Sequence, residues 1–253
     1  MKVKLSVVVI TYNESANIER CLKSVSDIAD EMLVVDSYSE DDTRKKAEAL
    51  GARVEEHAFE GHIEQKNYAI SLASYPHVLS LDADEALSDS LKQKIQAVKS
   101  DWQYDGYKFN RLTNYCGRWL KHGGWYPDTK LRLFDSRLGS WQGENPHDKY
   151  VLKQGSSIQH VKGDILHYSY YTVSDHIRQI DFFSGIKADV LFKKGARPGF
   201  IKRYFAAGFK FFSSYILKAG FLDGYEGYII ARLSATSTLM KYYKLHRKYQ
   251  KRS

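Results

Sequence analysis

The first 85 residues alternate between short apolar runs and segments whose apolar side chains recur at helical spacing. Residues 3–10 form a continuous β-branched run, which predicts a strand buried on both faces. Further strands are predicted over residues 31–36, over 52–57 and directly before Asp82. Three helices are predicted between these strands. The first carries Ile18, Leu22, Val25 and Ile28 at helical spacing. The second begins at a capping-box pattern over 39–42 and ends at Gly51, and the third covers 65–74. This repetition predicts a doubly wound, mostly parallel, Rossmann-like α/β sheet with helices on both faces.

The pattern changes in the second half of the chain. Short strand-like runs over 106–112, 130–134 and 156–167 alternate with Gly, Trp, Asp and Asn, which predicts longer loops closing a pocket. From about residue 174 the pattern is helical, and Pro198 with Gly199 separates two helices. We therefore expect an α/β domain over 1–173 and a basic, amphipathic helical region over 174–253.

Charge is distributed unevenly along the chain. The net charge is +8, but residues 193–253 hold fourteen Lys and Arg against only Asp223 and Glu226. Such a basic tail suggests an anionic partner surface. No apolar run reaches the roughly 18 residues that span a bilayer, and the N-terminal run is too short for a signal peptide. The two cysteines, Cys21 and Cys116, form no disulfide framework, which favours a reducing compartment.

Polar residues follow three of the predicted strands. They are TYNE at 11–14, DSYS at 36–39 and DADE at 82–85. In a doubly wound sheet these strand ends lie along one edge, where ligands bind. Asp-x-Asp suits a hard divalent cation held beside phosphates, although a helix-capping surface turn is the alternative for the motif by itself. Tyr12 is a candidate to stack on a base, and Asp36 to accept a base N–H or a ribose hydroxyl.

The sequence contains no Gly-rich phosphate loop, since neither G-x-G-x-x-G nor a P-loop occurs. A bound diphosphate must therefore be neutralised in another way, and a metal ion on Asp84 is the natural candidate.

These motifs resemble those of an inverting family 2 glycosyltransferase with the nucleotide-sugar-binding GT-A fold. The resemblance rests on VVVITYNE at 7–14, VVDS at 34–37 with DDT at 41–43, and LDADE at 81–85. The motifs occur in the expected order and spacing, and the resemblance covers about residues 1–170.

Further motifs resemble the branch of bacterial lipopolysaccharide-core β-glucosyltransferases. They are QKN at 65–67, RLF at 132–134 and PHD at 146–148. That branch also has a basic, aromatic, helical C-terminal part. It usually shows His-Glu where this chain has His147-Asp148, so the carboxylate here is one methylene shorter.

The resemblance implies a metal-dependent hexosyltransferase. A nucleotide-diphospho-sugar, with a UDP-hexose as the leading donor, would give its sugar to a lipid-linked or cell-envelope saccharide, with inversion at the anomeric carbon. Mg²⁺ or Mn²⁺ would stabilise the leaving diphosphate, and a carboxylate would act as general base. We expect Asp148 to be that base, with Glu144 as the second candidate, since both lie in a loop-like stretch after Trp141.

The remaining site residues implied by the resemblance fall into two groups. The metal ligands are expected to be Asp84, Asp82 and His167. The donor-binding residues are expected to be Thr11, Tyr12, Asn13, Glu14, Asp36, Lys66, Asp82, Ala83, Asp84 and Arg132.

Several of these side chains have a plainer alternative. His167 ends a strand-like segment and is as easily a structural histidine, whereas a solvated side chain is the commoner fate of a lysine such as Lys66. Arg132 alternates with Leu131 and Leu133, so we expect it to point away from the core. Trp125, Tyr126 and Trp141 are candidates for a sugar-stacking platform or for core packing.

The basic tail has three interpretations. It can lie on an anionic membrane leaflet, bind a phosphorylated glycolipid acceptor, or be the solvated face of packed helices. Aromatic residues between Lys202, Arg203 and Lys210 recur at roughly helical spacing, which favours an interface-lying helix. We therefore expect a cytoplasmic protein that is peripheral on the inner face of the cell membrane.

Three other functions compete with the transferase. A sugar-nucleotide pyrophosphorylase needs a Gly-rich start after the first strand, which residues 11–14 do not provide. A catalytically degenerate scaffold at the membrane surface stays an alternative, although Asp36, Asp82 and Asp84 are intact. Nucleic-acid binding by the tail lacks any recognisable motif, so we expect no nucleic-acid partner.

Overall fold

The computed structural model describes residues 2–144, 147–197 and 199–250, without the side chains of Glu144, His147 and Phe200. The chain forms two compact units. The first comprises residues up to Arg111 together with Asp128–His167, and the second comprises Leu112–Pro127 together with the chain from Tyr168 onward.

Four parallel strands form one half of the sheet in the first unit. The elements in chain order are β1 (Leu5–Thr11), α1 (Ile18–Lys23), β2 (Glu31–Asp36), α2 (Thr43–Ala49), β3 (Arg53–Glu56), α3 (His62–Ser71) and β4 (His77–Asp82). The strand order is β3-β2-β1-β4. Thr11 pairs with Asp36 and Ile10 with Asp82, so the three strands end at the same edge. The register therefore brings the polar strand ends together, as the sequence predicts.

The other half of the sheet contains antiparallel pairs. The chain continues through β5 (Glu85–Leu87), α4 (Asp89–Ser100), β6 (Gly106–Tyr115), β7 (Arg118–Trp119), β8 (Asp128–Asp135), β9 (Gly139–Glu144), β10 (His147–Leu152) and β11 (Ile158–Tyr170). The order continues from β4 through β8, β6 and β11 to β5. β8 is antiparallel to β4 and to β6, and β9 with β10 forms a separate hairpin.

Both faces of the sheet are covered by apolar side chains. On β1, Val7 and Val9 pack in one cluster with Ile18 and Leu22 of α1, whereas Val8 packs in the other cluster on the opposite face. Successive strand residues point to opposite faces, so a continuous β-branched run serves both clusters. The strand predicted over 3–10 is thus a central, doubly covered strand.

Some helix boundaries differ from the sequence prediction. α1 ends at Lys23, although Val25 and Ile28 beyond it are buried in the core. The hydroxyl of Ser24 donates to the carbonyl of Cys21 and accepts from the backbone N–H of Leu87, which ties the chain to β5 at this point. The helical spacing of apolar residues continues beyond α1 because the turn that follows, with Val25 and Ile28, packs on the same core.

The second unit contains three long helices. They are α5 (Val173–Lys193), α6 (Phe200–Phe212) and α7 (Gly224–Gln250), with a π-helical turn over Ser213–Leu217 and a 3-10 turn over Gly220–Asp223. Thr172 and Asp175 form a capping box at the start of α5. A core of Tyr115, Leu120, Tyr170 and Ile230 lies within this unit. None of the helices in the part of the chain that the structure describes has both the length and the apolar run that a bilayer crossing needs.

Candidate active site

A cleft of about 1070 Å³ opens in the first unit, lined by residues from the ends of β1 and β4 and from the β9–β10 hairpin. Most of the residues predicted from the sequence line it: Thr11, Tyr12, Glu14, Lys66, Asp82, Ala83, Asp84, Arg132, Asp148 and His167. The cleft also contains side chains that the sequence analysis did not single out: Phe59, His62, Lys108, Arg111, Lys130 and Lys149. Its volume is close to the upper end of the range of about 300–1,000 Å³ that is typical of ligand pockets.

The loop after β1 presents one aromatic ring to the cleft. Tyr12 lines the cleft and is 56% exposed, so its ring face is available to a ligand. Asn13 follows it with φ +53°, and its side-chain oxygen accepts the backbone N–H of Glu40. Asn13 therefore shapes the loop and is not among the residues that line the cleft.

Asp36 is fully buried. Its two carboxylate oxygens accept the backbone N–H and the hydroxyl of Ser39, at 2.6 and 2.5 Å. Asp36 does not line the cleft, whereas the next residue, Ser37, does. The structure thus gives Asp36 the role of fixing the turn after β2.

A chain of alternating charges runs along the cleft. Lys66 Nζ lies 2.8 Å from Asp148 Oδ2 and 2.9 Å from Asp82 Oδ1. Arg132 Nη2 lies 2.6 Å from Asp82 Oδ2 and 2.8 Å from Glu85 Oε1. Lys66, Arg132 and Glu85 are buried, so solvent screens these contacts little. Residues from α3, β4, β5, β8 and β10 are joined by this chain.

The charge chain fixes the ionisation of Asp82. Burial by itself raises the pKa of the Asp82 carboxyl, but the charges of Arg132 and Lys66 and their hydrogen bonds outweigh burial and hold that pKa well below its usual range. The backbone N–H of Asp82 in addition donates to Glu85 Oε2 at 3.0 Å. Asp82 is therefore an ionised carboxylate whose two oxygens already have cationic partners.

Asp84 is placed differently from Asp82. Its carboxylate is 27% exposed and lies 3.1 Å from Nε2 of His167, which is 14% exposed. The carboxyl of Glu14 lies in the same cleft. Burial raises the pKa of Glu14, the hydrogen bond from Asn17 lowers it, and the charges of Asp84, Asp41 and Asp82 raise it further. This part of the cleft therefore has a negative potential that favours a bound cation.

The side chains of Asp84 and His167 suit a divalent cation that is bound together with a phosphate-containing ligand. The described residues contain no group of three or more His, Cys, Asp or Glu side chains arranged around one point. A cation that takes phosphate oxygens and water needs only one or two protein ligands. Asp84 and His167 supply such a pair, one carboxylate oxygen and one imidazole nitrogen.

The indole of Trp141 lies against the two cations of the charge chain. Lys66 Nζ is 4.4 Å and the Arg132 guanidinium 5.6 Å from the centroid of a Trp141 ring. Trp141 is 4% exposed, which leaves little ring face for a sugar. The burial of Trp141 therefore favours core packing over sugar stacking. Trp125 packs against the core of the second unit, which favours the packing alternative there as well.

Buried polar atoms without a partner remain beside the cleft. Arg132 Nε and Nη1, Trp141 Nε1 and Thr11 Oγ1 have no hydrogen-bond partner among the described residues. Buried polar groups normally find a partner, so these residues retain hydrogen-bonding capacity for a ligand or for water.

Asp148 is held by the β9–β10 hairpin. It lies on β10 opposite Gly143 of β9, and Lys66 occupies its Oδ2. The other oxygen, Oδ1, accepts no hydrogen bond from the residues that the structure describes. Asn67, next to Lys66 on α3, clamps the hairpin: its amide donates to the Trp141 carbonyl at 3.0 Å, and its side-chain oxygen accepts the Trp141 N–H at 2.9 Å. The side chains of Glu144 and His147, and the whole of Pro146, lie outside the described residues.

Sequence reasoning did not assign roles to Glu85, Arg111 and Asp128. Glu85 has no exposed surface and binds Arg132, while Arg111 lies 3.5 Å from Glu85 and 2.7 Å from Asp128. Glu85 ended the quoted DADE motif, and its position three residues after Asp82 was the one available signal. Arg111 and Asp128 face each other across β6 and β8, a pairing that no local motif reveals.

Relatives with similar sequences include two glycosyltransferases from bacteria. An uncharacterized glycosyltransferase of Rickettsia bellii is 29% identical over 96% of this chain and 86% of its own length. The lipopolysaccharide core biosynthesis glycosyltransferase LpsC of Rhizobium meliloti is 24% identical over 98% of this chain and 94% of its own length. The similarity to LpsC confirms the predicted resemblance to the lipopolysaccharide-core branch.

The fold has a counterpart among solved structures. The mannosyltransferase PcManGT from Pyrobaculum calidifontis, solved in complex with GDP-Man and Mn²⁺, matches with a TM-score of 0.56. The match covers 98% of this chain and 88% of that one at 16% identity. This likeness confirms the predicted GT-A type of α/β fold. The sequence model of the family described as Glycosyl transferase family 2 matches residues 6–165, so the chain belongs to that family.

Proposed function

We propose that this protein is an inverting hexosyltransferase that moves a sugar from a nucleotide-diphospho-sugar, most simply a UDP-hexose, to a hydroxyl of a lipopolysaccharide-core or other cell-envelope saccharide. One observation carries the proposal: the cleft joins the Asp84–His167 pair with the charge chain that ends at Asp148. Membership of the family supports the reaction class, and the similarity to LpsC supports the acceptor class.

We propose that the donor diphosphate binds beside Asp84 and His167. A divalent cation, Mg²⁺ or Mn²⁺, would be held by these two residues and would supply charge stabilisation for the leaving diphosphate. The negative potential around Glu14 and Asp84 supports this placement. Asp82 contributes through the charge chain, since Lys66 and Arg132 already occupy its oxygens. The Pyrobaculum protein of the same fold was solved with GDP-Man and Mn²⁺, which is the ligand class proposed here.

Other residues would hold the rest of the donor. Exposed Tyr12 would stack on the base, while Thr11, Ala83 and the loop of Asn13 and Glu14 would shape the pocket around the nucleotide. The buried position of Asp36 supports an indirect role, through the turn that presents Ser37 to the cleft. Arg132 would act through Asp82, whose carboxylate it holds in place.

In the proposed mechanism, Asp148 accepts the proton of the acceptor hydroxyl. The acceptor oxygen attacks the anomeric carbon, the bond from that carbon to the diphosphate oxygen breaks, and the configuration inverts. Lys66 fixes the Asp148 carboxylate through Oδ2, which leaves Oδ1 for the hydroxyl. A positioned general base contributes about 10²–10⁴ in rate, and alignment of the two substrates contributes further. Glu144 stays the second candidate for the base.

The substitution Asp148→Asn tests this assignment. We expect transfer of radiolabelled hexose from UDP-hexose to lipopolysaccharide-core acceptor to fall by about 10²–10⁴, while the Kd for UDP changes less than threefold. Asp135→Asn is the matched control, because Asp135 lies on β8 outside the cleft lining and pairs with Arg137. Wild-type kcat in Asp148→Asn would remove Asp148 from the role of base and move the test to Glu144→Gln.

We propose in addition that the protein is cytoplasmic and works at the inner face of the cell membrane, where an envelope saccharide acceptor on a lipid carrier is found. The basic composition of residues 193–253 supports this location.

A further inference from the structure

An exposed apolar stripe runs along α6 in the second unit. Ile201 is 82% exposed and Phe205 is 72% exposed. The other exposed members are Phe209 and Phe212 of α6 and Ile216 of the π-helical turn that follows. At 100° per residue these five positions fall within an arc of about 80°. Buried Ala207 and Ser214 lie on the opposite side of the helix. The stripe therefore points away from the core of the second unit.

The apolar surface continues beyond α6. Leu217, Phe221, Leu222 and Tyr225 are all exposed, and they lie in the π-helical turn, the 3-10 turn and the start of α7. A single exposed apolar residue is normal on a protein surface, but a contiguous set of large ones marks an interaction surface. These four and the five described above form one set, which we call the apolar stripe: Ile201, Phe205, Phe209, Phe212, Ile216, Leu217, Phe221, Leu222 and Tyr225.

Four lysines of the second unit are close enough to act on one another. Partial burial, together with the positive charges of Lys218, Lys187 and Lys241, lowers the pKa of Lys210. These four lysines come from α5, α6, the segment after the π-helical turn and α7, so the folded second unit brings them close together.

We infer that the apolar stripe, with the exposed basic residues beside it, forms the surface by which this protein binds an anionic lipid bilayer. The aromatic and aliphatic side chains enter the boundary between headgroups and acyl chains, while Lys202 and Lys218, which directly follow Ile201 and Leu217 of the stripe, meet lipid phosphates. This arrangement is that of a helix lying in the membrane interface. α6 has 13 residues and is thus about 20 Å long, suited to lying in the interface. The inference rests on the proposed location at the membrane and names the residues that produce it.

Charge favours a lipid surface over a second copy of the chain. A self-associated pair would place two apolar stripes face to face and would bring together two regions of the same positive sign. Residues 193–253 carry fourteen Lys and Arg against two acidic residues, so such a pair has few counter-charges within this region. A bilayer rich in phosphatidylglycerol supplies both an apolar interior and negative charge.

The test is co-sedimentation of the full chain with vesicles. We expect binding to vesicles of phosphatidylcholine with 30% phosphatidylglycerol, weaker binding in 0.5 M NaCl, and little binding to phosphatidylcholine alone. The double variant Phe205→Ser with Phe209→Ser is expected to weaken the partition coefficient at least about tenfold. Its control, Phe182→Ser, removes an exposed aromatic of α5 and should keep wild-type binding.

The basic residues beside the stripe are tested by a charge-matched pair of variants. Lys202→Gln with Lys218→Gln should weaken binding about ten- to thirtyfold. Lys193→Gln with Lys194→Gln removes the same charge from the exposed end of α5 and should have a clearly smaller effect. Equal effects of the two pairs would show that overall charge, and not the basic residues beside the stripe, drives binding.

Each outcome separates the membrane surface from the transferase. UDP binding measured on every variant checks that the protein is folded and that the donor cleft is intact. Wild-type vesicle binding by Phe205→Ser with Phe209→Ser would overturn the inference whatever the result of the donor assay. So would a dimer in sedimentation velocity that this double variant dissociates, because the apolar stripe would then cover a second copy. Vesicle binding without any nucleotide binding would instead contradict the proposed function.

Discussion

Arg132 is the residue on which the polar interior of the cleft depends most. It is 4% exposed at the side chain and binds Asp82 and Glu85, which come from β4 and β5. Burial lowers the pKa of its guanidinium, but the two carboxylates outweigh burial and raise that pKa above its ordinary value. A buried ion pair is costly to assemble, and removing one partner leaves an uncompensated buried charge.

The substitution Arg132→Met is expected to lower the free energy of unfolding by about 3–5 kcal/mol, because Glu85 and Asp82 lose their shared cation. Chemical denaturation with urea measures the change. Arg137→Met is the matched control, since Arg137 makes a contact of 2.6 Å with Asp135 at an exposed position, and its effect should be small. Equal stabilities of the two variants would mean that the charge chain does not hold the cleft together.

At the residue scale, the sequence motifs predicted which residues line the cleft better than they predicted the contacts that each side chain makes there. The LDADE motif identified Asp82 and Asp84, but only the fold shows that Asp82 is neutralised by Lys66 and Arg132 while Asp84 faces His167. Strand alternation predicted that Arg132 points away from the apolar core, and it does line the cleft. It is nevertheless buried, because partners from distant parts of the chain surround it.

The β9–β10 hairpin is the element that positions the proposed base. The close pairing of its two strands depends on Gly139, where an added Cβ would lie 2.4 Å from the carbonyl oxygen of Val151 and 2.9 Å from the ring of Tyr150, both on β10. The backbone oxygen cannot move without breaking the hairpin pairing, which joins Gly139 to Leu152. The clash is therefore steric, since the backbone of Gly139 is extended.

The substitution Gly139→Ala is expected to destabilise the protein by about 1–3 kcal/mol and to lower kcat more than it raises the Kd for UDP, because Asp148 moves with the hairpin. Gly208→Ala is the contrasting control: it lies within α6 with open space around its Cβ position, and it should stabilise by about 0.5–1 kcal/mol. Thermal unfolding and steady-state kinetics measure both. Unchanged kcat in Gly139→Ala would separate the hairpin from catalysis.

Helix α5 is linked to the core of the second unit by His176. Its Nδ1 lies 3.1 Å from the hydroxyl of Tyr115, its ring lies 4.6 Å from that of Tyr170, and burial lowers its pKa to about 4. Between pH 6.5 and pH 4 the unfolded histidine binds a proton that the folded one does not. The stability contributed by neutral His176 therefore decreases as the pH falls through this window and is greatest above pH 6.5.

The substitution His176→Gln is expected to make stability less dependent on pH. We expect the loss of Tm between pH 7 and pH 4.5 to be smaller in His176→Gln than in the wild type, because the proton uptake on unfolding is removed. Parallel Tm profiles of the two proteins over this range would contradict a buried, neutral His176.

At the scale of the whole molecule, local periodicity predicted the parallel half of the sheet, whereas contacts between distant parts of the chain define the two compact units. Strands β1, β2 and β4 were predicted because each is a short apolar run next to a helical segment. The assignment of Leu112–Pro127 to the second unit was not, because it depends on contacts about a hundred residues apart. Asp223, for example, accepts the backbone N–H groups of Lys121 and His122. The boundary near residue 173 therefore stays a sequence prediction.

The whole molecule also separates two kinds of charge. The cleft of the first unit contains a chain of alternating charges, whereas the second unit carries a positive excess with exposed aromatics. This separation suits an enzyme that recognises a nucleotide with one unit and an anionic surface with the other, which is the function proposed above.

Calorimetric titration with UDP, GDP, CMP and dTDP, each with and without Mn²⁺, tests the central claim most directly. We expect one nucleotide, most simply UDP, to bind only when Mn²⁺ is present, and Asp84→Ala to weaken that binding at least about tenfold. Asp89→Ala, at a 98% exposed position of α4, should bind as the wild type does. Absence of metal-dependent binding to all four nucleotides, or wild-type binding by Asp84→Ala, would contradict the proposed donor site.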